Sequence, residues 1–102
     1  MPGGGGSGVD LLVHNEGDHV AVAVRDLHPG KASVAWLDSG RRGEVDVAEA
    51  VPLGHKVALV DLGEAEKVVE YGVEIGVTKA RISKGSHVHV HNLRSARWQK
   101  SA

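Results

Sequence analysis

The chain has 102 residues with a formal net charge of −1, fourteen glycines, seven histidines, one tyrosine, two tryptophans, and neither cysteine nor phenylalanine. That length makes one domain with a modest, mostly aliphatic core, and the lack of cysteine excludes a disulfide framework or a thiolate nucleophile. Intermixed charges without a basic stripe argue against nucleic acid, no apolar run reaches the length of a membrane span, and the start lacks the basic-then-apolar order of a signal peptide, so a cytoplasmic protein is expected.

Residues 1–8, MPGGGGSG, read as a flexible glycine-rich lead-in outside the fold. Val9–His14 reads as a first strand and Asn15–Asp18 as a turn. His19–Arg25 returns as a second strand in which Val20, Val22 and Val24 alternate with smaller residues, so the pair forms a hairpin. Asp26–Gly30 breaks the pattern. Ser33–Asp38 and Glu44–Val47, joined by the polar turn Ser39–Gly43, make a second hairpin, and Ala48–Ala50 forms one helical turn or extends the strand. Val57–Val60 is short and apolar, and Asp61–Glu66 is a charged bend. Lys67–Glu70 is a strand closed by Tyr71-Gly72, and Glu74–Val77 is another short strand. Glu64, Glu66, Lys67 and Glu70 read as a solvated face. Residues 9–93 form the domain, and 94–102 form a basic polar tail in which Arg94, Arg97 and Lys100 fray or else contact an anion or partner, and Trp98 anchors or meets another chain.

One submotif recurs. Leu27-His28-Pro29-Gly30, Val51-Pro52-Leu53-Gly54 and Ile82-Ser83-Lys84-Gly85 each place an apolar residue three before a glycine. The physical reading is a tight turn whose glycine takes a positive φ while the apolar residue plugs the core. Such turns between short strands predict a compact, mainly β fold with little helix; no stretch keeps a 3.6-residue period over three turns.

The most distinctive stretch is His87-Val88-His89-Val90-His91-Asn92. On a strand, alternation puts His87, His89 and His91 on one face and turns Val88 and Val90 into the core. Histidines on one strand face, about 7 Å apart by strand rise, suit a divalent metal as well as acid–base work. The isolated His14, His19 and His28 read as surface or structural residues.

Three segments, Gly54-His55-Lys56-Val57-Ala58-Leu59, Tyr71-Gly72-x-x-Ile75-Gly76 and Gly85-x-His87-Val88-His89-x-His91-Asn92, together resemble the small SAF-type (β-clip) domain that opens the altronate and galactarate dehydratase family. The opening Val13–Val22 is similar too, so the resemblance runs from Val9 to about Leu93. It implies a β-clip fold and a place in lyases that eliminate from sugar acids or related 2-hydroxy acids with a divalent metal, iron(II) or manganese(II). In one-chain members a large catalytic domain follows. This chain ends at Ala102 and so resembles the members split into a short and a long chain, among them sulfolactate sulfo-lyase. The histidine run tilts the resemblance toward the altronate and sulfolactate branches. In one departure, Ala65 stands where the family usually has glycine, and a glycine occurs instead at Gly63.

Under that resemblance the expected partners are a large catalytic subunit and a small anionic hydroxy acid, with homo-oligomerisation left open. Elimination beside a carboxylate needs a base, an acid for the leaving group and cationic stabilisation of the enolate-like state. His55, Lys56 and His89 are the expected catalytic residues. Lys56, His87, His91 and Asn92 are expected to bind substrate, with His87 and His89 as metal ligands. Tyr71-Gly72 and Ile75-Gly76 read as architecture. The rival functions are a non-catalytic carbohydrate- or protein-binding β-clip module and a stand-alone metal-binding protein.

Overall fold

The computed structural model describes residues 8–95; Arg97, Trp98 and Lys100 lie outside them. Among the described residues the chain forms strands and turns with no helix. The strands are β1 (Leu11–Val13), β2 (Val20–Ala23), β3 (Gly30–Trp36), β4 (Arg42–Val47), β5 (Lys56–Ala58), β6 (Lys67–Glu70), β7 (Val73–Thr78), β8 (His87–Val88) and β9 (Leu93–Ser95). Six form one sheet in the order β4-β3-β1-β2-β5-β8, and three form a second in the order β9-β7-β6. All neighbours are antiparallel except β1 and β3.

Both expected hairpins are present. In the first, Leu11 pairs with Ala23; in the second, Val34 pairs with Gly43. Alternation along the central strands feeds two small aliphatic cores. Ala21, Ala23 and Val57 join Leu11, Val13, Val34 and Val51 in one. Val20 and Ala58 join Leu62, Val68, Ile82 and Val88 in the other.

The recurring turns are the frame of the domain. Leu27 bridges Val51 and Leu62 bridges Ile82, and all four are buried. Asp26 Oδ1 accepts from the Leu53 amide at 2.8 Å, and Asp61 Oδ1 accepts from the Lys84 amide at the same distance. The two halves of the chain thus repeat one device: an aspartate and an apolar plug clamp the turn of the opposite segment. Gly30, Gly54 and Gly85 all have positive φ. The fourth copy, Leu62-Gly63-Glu64-Ala65, puts Ala65 at φ 61°, so the departure at this position keeps the left-handed backbone and forgoes the residue that suits it.

Three expectations need correction. Ala48–Ala50 is neither a helical turn nor strand. Arg94 and Ser95, expected in the tail, pair with Val77 and Gly76 in a sheet. The histidine strand stops at Val88: Asn92 and Leu93 both donate backbone N–H bonds to His89 O, closing a turn. Val90 sits in that turn and is 69 % exposed, outside the core.

Candidate functional site

The β5–β8 pairing builds the site. Lys56 pairs with Val88 and Val57 with His87, so continuing the register opposes His55 to His89. Cross-strand partners have side chains on one face, and the His55 and His89 rings stack with centroids 3.8 Å apart. His87 stacks 5.0 Å from His55, with Nε2 only 2.7 Å from His55 Nδ1. His91, though exposed in the turn, keeps its ring 5.1 Å from His87. The strand expected here is shorter than its sequence pattern, yet the turn still returns His91 to the cluster.

Burial lowers the pKa of His87 and of His89, and the neighbouring imidazoles lower both further, since a second positive charge among them is repelled. Glu49, which the sequence did not single out, accepts from the His87 backbone N–H through Oε2 at 3.1 Å. Asn92 accepts from His89 N at 2.9 Å and donates to His87 O at 2.8 Å. Its side chain therefore staples the histidine turn, a positioning task beside the substrate contact expected of it.

On the other face of the pair, Lys56 and Val88 line a cleft of about 900 Å³ shared with Glu70, Lys79 and Arg94. His89, where the strand breaks, borders both the cleft and the imidazole cluster. Lys56 Nζ lies 3.7 Å from Glu70 Oε1 and His14 Nε2 lies 3.9 Å from Glu70 Oε2. Glu70 is buried, contrary to its expected place on a solvated face. Alternation from buried Val68 carries it inward, and that alternation is the signal by which the sequence could have revealed it. Burial raises the Glu70 pKa, and Lys56 and His14 only partly offset this.

The other histidines have separate roles. His14 stacks on Tyr71 at 3.7 Å, and His19 Nδ1 accepts from the Val69 amide at 3.0 Å. His28 is exposed. Tyr71 and Gly72 have φ of 60° and 72° in a two-residue hairpin loop, which marks a type I′ turn, and Asp18 accepts from both their amides. At Gly76 a Cβ would fall 2.3 Å from Arg94 O, so this glycine, like the Tyr71-Gly72 turn, is architecture.

The profile of the Altronate/galactarate dehydratase SAF domain matches residues 9–96. The chain belongs to that family. Among curated proteins, this SAF domain is 40 % identical over 92 residues to the (2R)-sulfolactate sulfo-lyase subunit alpha of Chromohalobacter salexigens, covering 88 % of this chain and 98 % of that one. It is 35 % identical over 85 residues to the altronate dehydratase of Bacillus subtilis, covering 83 % of this chain. It is 40 % identical over 78 residues to the altronate dehydratase of Escherichia coli, covering 76 % of this chain. The SAF domain spans only 16 % and 15 % of those two dehydratases. The expected mainly β fold and family are thus found, and relatives of both kinds are lyases.

Proposed function

We propose that this SAF domain is the small subunit of a two-component lyase that eliminates water or sulfite from a small anionic 2-hydroxy acid. The observation that carries this reading is the cleft in which Lys56, tied to buried Glu70, stands beside the imidazole cluster. Its near-complete coverage of a sulfo-lyase subunit alpha supports a role alongside a second, larger chain.

In this reading Lys56, Lys79 and Arg94 make the cleft electropositive, which suits a carboxylate substrate. Lys56 holds the carboxylate, and the ion pair with Glu70 fixes its ammonium. A base contributed by the large chain takes the proton next to the carboxylate; the electron pair left behind forms the C=C bond as the β substituent departs with its own bonding pair. The imidazole cluster, reached through His89, supplies the electrophile that meets the leaving group, while Asn92 holds the turn that presents His89 and His91. The large chain closes the cleft and contributes the rest of the catalytic groups.

Affinity capture of the tagged chain from its native source, followed by elimination assays on sulfolactate and altronate, tests the proposal. A long lyase chain in the eluate, with product formation that requires both chains, supports it. A chain captured alone, or a complex with neither elimination activity, overturns it and favours the binding module.

A further inference from the structure

We infer that His55, His87 and His89 form a site for one borderline divalent transition-metal cation, of the zinc, nickel, cobalt or iron(II) class, held by this chain without help from a partner. One ring nitrogen from each of the three histidines lies within 4.8 Å of the other two. Metal–imidazole bonds of about 2.0–2.1 Å place ligand nitrogens roughly 3–3.5 Å apart. The His55–His87 pair is at 2.7 Å, and the three rings, stacked within 20° of parallel, must turn about their side-chain torsions to aim the three nitrogens at one ion.

The backbone that carries the three rings is fixed. The pairing of β5 with β8 sets His87 against Val57, and just beyond it the His89 ring stacks 3.8 Å from that of His55. Glu49 holds the His87 amide, and Asn92 bridges the His87 carbonyl and the His89 amide. These bonds hold the backbone of the ligand residues and leave their rings able to turn. The set itself is all imidazole, which selects borderline ions over the hard cations magnesium and calcium. Three protein ligands leave coordination positions open, the arrangement of a reactive centre rather than a closed structural one. His91 stands 5.1 Å from the His87 ring but outside the three-nitrogen set.

This site concerns the chain by itself and stands apart from the lyase assignment. The test uses the full chain without a polyhistidine tag, stripped with chelator and titrated with cobalt(II), zinc(II), magnesium and calcium. The expected result is one cobalt(II) per chain with d–d absorption bands, displacement by zinc(II), and no response to magnesium or calcium. His55→Ala, His87→Ala and His89→Ala should each weaken cobalt(II) binding by about 10–100-fold or more, while His28→Ala and His91→Ala leave it within about twofold. X-ray absorption on the wild-type zinc complex should show three imidazole ligands, a reading that needs no variant to fold. No saturable binding, binding that survives all three substitutions, or fewer than three imidazoles at the ion would overturn the inference. A chain that binds the metal yet joins no lyase would overturn the proposed function and leave the metal site standing.

Discussion

The ammonium of Lys56 lies 3.7 Å from the carboxylate of Glu70, which lines the same cleft and is itself 4 % exposed. Burial wins over this attraction, because the Glu70 pKa is raised despite Lys56 and His14. A carboxyl whose folded pKa exceeds its unfolded value favours folding at pH below the unfolded pKa. That contribution is lost as pH rises through the folded pKa. Glu70→Gln should therefore raise the melting temperature at neutral pH, and the gain should fade as the pH falls through the carboxylate range. Thermal melts of both proteins between pH 4 and 8 check this.

Gly54 and Gly85 have nearly the same φ, 87° and 89°, but different surroundings. A Cβ on Gly54 meets nothing within 4 Å, whereas on Gly85 it would fall 2.1 Å from Asp46 O. Gly54→Ala should cost about 1–2 kcal/mol, the left-handed penalty alone. Gly85→Ala should cost about 3 kcal/mol or more, since the β4 backbone must also move. Denaturant unfolding of the two variants measures the difference.

Ala65 carries the same turn geometry without the residue that suits it. Ala65→Gly relieves the left-handed strain and loosens the unfolded chain, so the net gain should be up to about 1 kcal/mol. Unfolding midpoints at constant m-value give the answer.

Asn92→Ala removes both hydrogen bonds that staple the histidine turn. The expected cost is about 1–2 kcal/mol in stability. Backbone amide exchange should quicken at His89–Asn92 and stay slow in β1 and β2, which hydrogen-exchange mass spectrometry resolves.

The strand Lys67–Glu70 was legible to the residue, because a valine pair runs straight into a turn whose glycine ends it. The end of the histidine strand was not. A period of two fits His87–His91 equally well as strand or as strand plus turn, and the side chain that decides is Asn92. Glu70 was misplaced because a charged residue among other charged residues reads as solvated; the alternation from Val68 outweighs that rule. The joining of His55 to His87 and His89 depends on a β5–β8 register between segments 32 residues apart. No local pattern encodes that register, so the sequence suggested each group separately, with family resemblance as their link. Glu49 reaches the cluster by the same long-range route.

The measurement that bears most directly on the account is steady-state elimination by the proposed complex of this chain with a large lyase chain, carrying His89→Ala, with complex formation checked by size-exclusion chromatography. His89 borders both cleft and imidazole cluster, so the account predicts intact assembly with kcat/KM lowered by about 100-fold or more. An assembled variant that turns over at the wild-type rate would contradict it and make this chain a structural cover for a site built wholly by its partner.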